Sequence, residues 1–212
     1  KTLHAILSYA FAGLDPQTGD PQGYLNKTLS KDYYGIYAAA KSPDSLLYNG
    51  TASPRYYGAL SNSITWKGFS IFFNITYKLG YYFRRESISY EQLYSSGIGH
   101  GDFAKRWQQP GDENHTNIPS LQYPLDYYRD AFFLSSNVTV SRADHIRLQF
   151  VNLSYELAES LLGKTGWQSL QLYLNASNLG VLWKANKNGL DPDYPTSIPA
   201  SRTWAIGLRA NF

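Results

Sequence analysis

The sequence contains no cysteine and no methionine among its 212 residues. Without cysteine there is no disulfide framework and no thiolate metal site. Long apolar runs are also missing. Residues 5–14, AILSYAFAGL, form one of the longest, far short of the ~20 residues a membrane helix requires. Charge of one sign is not concentrated either: the formal net charge is +3, and the longest basic block is the pair Arg84–Arg85, which points away from nucleic acid. There is no HExxH, no serine elbow and no phosphate-binding glycine loop, and His4, His100, His115 and His145 are scattered, so the expectation is a protein that is not an enzyme. The chain opens on Lys1 with no initiator methionine and no signal peptide, which leads to the expectation that it is part of a longer protein.

Aromatic residues are abundant, at 16% with 19 tyrosines, and their distribution follows a period of two. Residues 69–82 set Phe69, Ile71, Phe73, Ile75, Tyr77, Leu79 and Tyr81 against Ser70, Phe72, Asn74, Thr76, Lys78 and Gly80. Such alternation marks a strand with one apolar and one polar face. The same pattern predicts strands over about 2–11, 55–66, 145–157, 169–179 and 202–212. In 145–157 the phase flips near Phe150 and Val151, which a β-bulge or inward packing of the upper residues would produce.

Short and long connections alternate. Lys67–Gly68 is a tight turn and 158–168 a fairly short link, whereas 12–54, 83–144 and 180–201 are long and irregular. Loops that long are uncommon in compact soluble domains. Together with strands of ~11 residues, which at ~40° tilt cover roughly 28 Å, they favour an outer-membrane barrel wall. A soluble β-sandwich would share the alternation, and that reading stays open at this point.

Six segments carry a resemblance over essentially the whole chain. They are YAFAGLDPQTGDPQGY (9–24), GTASPRYYGALSNSITWKGFSIFFNITYKLG (50–80), RWQQPGDENHTNIPSL (106–121), DHIRLQFVNLSYEL (144–157), LQLYLNASNLGVLWKANKNGLDPD (170–193) and the closing SRTWAIGLRANF (201–212). In this order and spacing they resemble the C-terminal part of SusC/RagA-type TonB-dependent outer-membrane transporters. Lys184 departs from the pattern, which has a hydroxyl residue there.

The resemblance implies an all-β fold: an antiparallel meander of about six long strands, residues 1–212 forming the C-terminal part of a barrel of about 22 strands. The plug, the TonB-box peptide and most of the barrel have no counterpart in these residues. It also implies import of oligosaccharides or peptides across the outer membrane of a Gram-negative bacterium. The implied partners are a SusD-like lipoprotein, the rest of the same barrel, outer-membrane lipid and TonB acting through the plug; no nucleic acid is expected. A soluble or secreted carbohydrate-binding module and a passive porin or adhesin are the rival readings.

Candidate site residues follow from both lines. Trp107, Tyr128 and Trp183, among the aromatics outside the expected strands, are candidate substrate or partner contacts. Phe212 resembles the terminal aromatic read during barrel assembly. Asp191 and Asp193 in GLDPDYP, like Asp15 and Asp20 in GLDPQTGDP, could donate carboxylates to Ca²⁺, although Asp-Pro and Gly-Asp pairs more commonly make turns. No other cofactor is expected. Seven Asn-x-Ser/Thr sequons begin at Asn26, Asn49, Asn74, Asn114, Asn137, Asn152 and Asn175. Asn74 and Asn175 fall mid-strand on polar faces, where a wet lumen explains them better than a glycan.

Overall fold

The computed structural model describes residues 3–158, 162–163 and 166–212. In chain order its elements are β1 (Ala5–Ser8), β2 (Gly13–Leu14), β3 (Pro21–Leu25), β4 (Thr28–Ser30), α1 (Tyr33–Ala39), β5 (Leu47–Thr51), β6 (Tyr56–Trp66), β7 (Phe69–Leu79), β8 (Tyr82–Arg84), α2 (Tyr90–Ser96), α3 (Tyr127–Ser135), β9 (Val140–Arg142), β10 (His145–Glu156), β11 (Ser169–Lys184) and β12 (Thr203–Asn211), with short 3₁₀ turns between some of them. They divide into two compact units, one of residues 1–53 and 82–142, the other of residues 54–81 and 143–212. Among the described residues no helix is long and apolar enough to cross a membrane.

The second unit is an antiparallel sheet in the order β12-β11-β10-β7-β6. Lys67 and Gly68 both have positive φ, 48° and 84°, and close a two-residue hairpin between Trp66 and Phe69. That geometry matches the twist of the strands it joins. The register of β10 shifts between Leu148 and Phe150 against both neighbours. Gln149 is thus the extra residue against β7, and the bulge explains the phase flip seen in the sequence. It returns Val151, Leu153 and Tyr155 to the face that carries Ile146 and Leu148, since the partners run Ile75, Phe73, Ile71, Phe69.

The first unit is built differently. Two apolar clusters hold it together: Ile88, Tyr90, Ile118 and Phe133, and Tyr33, Ile36 and Phe132, with Phe11 packed against both. Helix entries are capped by side chains. Asp32 accepts from the Gly35 amide and Asp126 from the Arg129 amide. At α2, Ser89 caps Gln92, and the buried Asp130 accepts from Ser89 Oγ and the amides of Tyr90 and Glu91. Each cap satisfies amides that the first helical turn leaves unbonded.

Three expectations need correction. The strand expected over 2–11 is confined to Ala5–Ser8, and it pairs with β5 rather than joining the five-stranded sheet. Its alternation has another cause: Tyr9 and Phe11 pack into the clusters of the first unit, with the Phe11 amide bonded to Asn137 Oδ1. Among the described residues the sheet accordingly has five long strands, not six. The strand expected over 69–82 ends at Leu79, because Asp144 Oδ1 accepts the Gly80 amide and draws the backbone out of the ladder. Conversely, β11 runs on past 179 to Lys184.

Candidate functional site

Cross-strand register assigns every sheet residue to a face. One row reads Leu60, Ile75 and Leu148, the next Asn62, Phe73, Val151, Ala176 and Trp204, the next Ile64, Ile71, Leu153, Leu174 and Ile206. No charged residue falls on this face. Its large side chains are exposed or half-buried, with the small Ala176 buried between them: Leu60 is 58% exposed, Leu172 49%, Trp204 60% and Ile206 78%. Leu170 and Leu174 are half-buried, and none of these leucines lies beneath a second layer of the chain. A soluble monomer rarely leaves so continuous an apolar surface in water.

Aromatic residues mark both ends of that face. At the hairpin end stand Trp66, Phe69 and Tyr155, the last two with ring centroids 4.4 Å apart, while Trp167 meets Phe212 edge-on at 6.3 Å. At the other end Tyr77, Ile146 and Trp183 share one row. From Phe69 to Tyr77 is eight residues, about 21 Å along the normal at ~40° tilt, close to the ~25 Å apolar band of an outer membrane flanked by aromatic girdles.

The opposite face carries neutral polar groups at mid-strand. Asn74 Nδ2 donates to Ser61 Oγ at 2.7 Å, the Thr65 and Ser70 hydroxyls lie 3.0 Å apart, and Asn152 Nδ2 donates to Asn175 Oδ1. Tyr173 lies over Gly207, where any Cβ would run into its ring. Every charged residue of the strands, among them Lys78, Arg147, Glu156 and Arg209, belongs to this face by register.

At the non-hairpin end, an ion cluster ties the 185–202 connection to the strands. Asp193 accepts from Lys78 Nζ at 2.7 Å, His145 Nε2 at 3.1 Å and Arg147 Nε at 3.1 Å, and Asp191 pairs with Arg147. The His145 hydrogen bond and then Lys78 hold the Asp193 carboxyl well below the usual carboxylate range, against the opposing effect of burial. Lys78 and Arg147, two permanent cations, and the His145 imidazole thus meet these two carboxylates. Among the described residues no group of three or more His, Asp or Glu is placed to hold a metal ion. Lys184, the departure from the sequence pattern, donates to the Gly189 and Leu190 carbonyls and closes the same loop.

In the first unit the two loop motifs meet. Trp107 packs against Gly19, whose positive φ of 69° lets the backbone pass under the ring. Trp107 Nε1 donates to Glu113, and Ser120 Oγ to the Thr18 carbonyl. The buried Arg129 donates from Nε to Asp20 at 2.8 Å and from an η nitrogen to the Ser120 carbonyl. Lys31 bridges Asp15 and Asp20, and its hydrogen bond holds the Asp15 carboxyl below its ordinary pKa. An ammonium therefore sits where the sequence suggested a cation.

Of the candidate contact residues, Trp107 is only 7% exposed and forms part of the loop packing. Tyr128 is half-buried at the centre of a tyrosine group, its ring 5.1 Å from Tyr34, 5.6 Å from Tyr37 and 5.7 Å from Tyr127, and these three are about 60% exposed. Trp183 is exposed on the apolar face. Trp107 and Tyr128 belong to the first unit, Trp183 to the second. Phe212 lies just past β12 and is 81% exposed. Sequence reasoning missed Arg129 and Arg84. Arg84 bonds the Leu7, Leu134 and Ser136 carbonyls and the Ser8 and Thr139 hydroxyls, and no local pattern foretells acceptors so distant in sequence.

No family model matches the sequence, and no curated protein matches it. Solved structures do. The chain superposes on a structure of the RagAB peptide transporter with a TM-score of 0.68 at 23% identity, over 97% of this chain and 22% of that one. Structures of the RagAB peptide importer in its open-open and closed-closed states give TM-scores of 0.67 and 0.68, each at 22% identity over 97% of this chain. This chain thus spans less than a quarter of the length of the chains it resembles. At such identities the likeness establishes the fold.

Proposed function

We propose that this chain is the C-terminal wall of an outer-membrane importer of the SusC/RagA type, a TonB-dependent transporter working with a SusD-like lipoprotein in a Gram-negative bacterium. The observation that carries the reading is the uncovered, charge-free apolar face of the five-stranded sheet, bounded at both ends by aromatics. Lipid is the solvent that makes such a face stable. The likeness to chains of a peptide importer over nearly the whole length supports the transport role.

In this reading the sheet is a sector of barrel wall. Its edges, β6 and β12, pair with strands contributed by the remainder of the barrel, since an open edge cannot stand in hydrocarbon. The neutral amide and hydroxyl face lines the lumen. The short-turn end faces the periplasm, where Phe212 serves the assembly machinery, and the long connections face outward, where Tyr128 with its neighbouring tyrosines is a contact for substrate or lipoprotein, whereas Trp183, expected as a contact, stands on the apolar face of β11 in the outer aromatic girdle. Asp191 and Asp193 brace the last outward loop. The role is binding and passage rather than bond chemistry. A soluble carbohydrate-binding module would have to cover the apolar face with a second layer, and no described residue does so.

The test is biochemical. The protein carrying this sequence fractionates with outer membranes, needs detergent for extraction and migrates differently on electrophoresis before and after boiling, and a lipoprotein co-purifies with it. Recovery as a monodisperse monomer from the soluble fraction contradicts the proposal.

A further inference from the structure

The apolar face of the sheet is not flat. Toward its hairpin end it holds a groove of about 230 Å³, larger than the ~150 Å³ that admits benzene to an apolar protein interior. The Phe69 and Tyr155 rings, with centroids 4.4 Å apart, form one wall, and Leu153, Leu172, Leu174 and Ile206 the rest. Register places all six on the face without charge. Ser154 and Tyr173 also border the groove, but strand alternation turns their side chains to the opposite face. The Tyr155 hydroxyl is the one polar group that the six side chains carry.

A cation stands at the end of the same row. Trp66 pairs with Phe69, and Phe69 with Tyr155. The exposed Lys67, next in the turn, holds its ammonium 5.0 Å from the centre of the Trp66 ring, and that attraction keeps the charge on the apolar side of the sheet. A Cβ at Gly68 would stand 3.4 Å from the Tyr155 ring, so the turn abuts the groove wall. Lys67 makes no ion pair among the described residues, and Glu156, which follows Tyr155 in β10, belongs to the opposite face by register.

We infer that the groove and Lys67 form a site for one anionic phospholipid, an acyl chain lying against Phe69, Tyr155 and Leu172 and the phosphate meeting the Lys67 ammonium. The inference rests on the reading of this face as membrane-embedded. The lining decides the ligand class: an acyl chain gains by covering such walls, whereas a saccharide or a peptide backbone would leave polar groups without partners there. Lys67 decides the headgroup. Its ammonium reaches the polar level beside the aromatic row, and a headgroup without a cation of its own leaves the phosphate free to pair with it.

The test is native mass spectrometry of the intact, delipidated protein in detergent, titrated with phosphatidylglycerol and with phosphatidylcholine of the same acyl chains. The first phosphatidylglycerol should bind about fivefold more tightly than the first phosphatidylcholine, the attraction of one basic side chain near a membrane surface. Lys67→Asn should remove that difference while keeping the turn, since Asn-Gly is favoured in such hairpins. Leu172→Trp fills the groove with a residue that an aromatic girdle accepts. It should weaken the first binding event of both lipids at least tenfold, the value of about two buried methylene groups. Leu60→Trp, elsewhere on the apolar face, should change neither. Equal first-lipid affinity in wild type and Leu172→Trp overturns the groove, and a phosphatidylglycerol preference kept in Lys67→Asn overturns the role of Lys67. A dimer that binds no lipid would show a second copy covering the face and also overturns the inference. Heat-modifiable migration of the same preparations reports separately on the barrel.

Discussion

Replacing Ile206 by arginine separates lipid from water as the solvent of the apolar face. Ile206 is 78% exposed and lies opposite Leu174, in the row that runs through Leu153 to Ile71. In water, a charge at so exposed a position changes stability by less than about 0.5 kcal/mol, as surface substitutions generally do. In a bilayer the same side chain costs about 2–4 kcal/mol at the midplane and less toward the interfaces. Ile71 is two residues inside Phe69, the aromatic of its strand, so the row lies within the apolar band and a loss of about 2 kcal/mol is expected. That is roughly a thirtyfold fall in the folded-to-unfolded ratio. Ser63→Arg, on the opposite face of β6, is the control and should be near neutral. Urea unfolding of the intact protein in lipid vesicles, followed by tryptophan fluorescence, supplies both values. Equal, negligible effects at the two positions refute the assignment of faces.

Three further outcomes follow from the geometry. Asp193→Asn should free the 185–202 connection, raising its hydrogen exchange, by about 1–2 kcal/mol after discounting the nearly half-exposed Lys78. Because the Asp193 pKa is depressed in the fold, its contribution is present above the ordinary carboxylate pKa near 4 and is lost as pH falls through the folded value, so wild-type protection factors in this loop, relative to intrinsic exchange at each pH, should fall only below about pH 4. Gly207→Val drives a side chain into the Tyr173 ring and should cost about 1–3 kcal/mol, largely recovered in the Tyr173→Ala background in a double-mutant cycle. Gly68→Val places a β-branched residue at φ 84° with its Cβ against the Glu156 carbonyl; strain of at least ~1–2 kcal/mol should appear in denaturant unfolding.

The sheet was legible because one face is apolar and the other polar, which imposes a strict period of two, and because Lys67–Gly68 and the phase flip at Phe150 have local causes. Even there, Leu79 ends its strand because of Asp144, a residue distant in sequence whose carboxylate takes the Gly80 amide. The first unit was not legible in the same way. Its alternating 2–11 segment packs Tyr9 and Phe11 into a core rather than a sheet, and its short helices are set by caps and by Asp130, Arg129 and Arg84, whose partners lie far along the chain. Trp107 read as an exposed contact, yet Gly19 made room to bury it. Asp191 and Asp193 read as turn residues that could also donate to Ca²⁺; that Lys78, Arg147 and the His145 imidazole would meet them depended on strand register.

The absence of cysteine from these 212 residues permits the most direct measurement. Spin labels placed through Ile206→Cys, Leu172→Cys, Ala205→Cys and Ser63→Cys in the membrane-reconstituted protein can be probed with oxygen, which partitions into lipid, and with a water-soluble nickel chelate. The account predicts high oxygen and low nickel accessibility at 206 and 172, with the reverse at 205 and 63. Equal nickel accessibility at all four positions would show water on both faces of the sheet and contradict it.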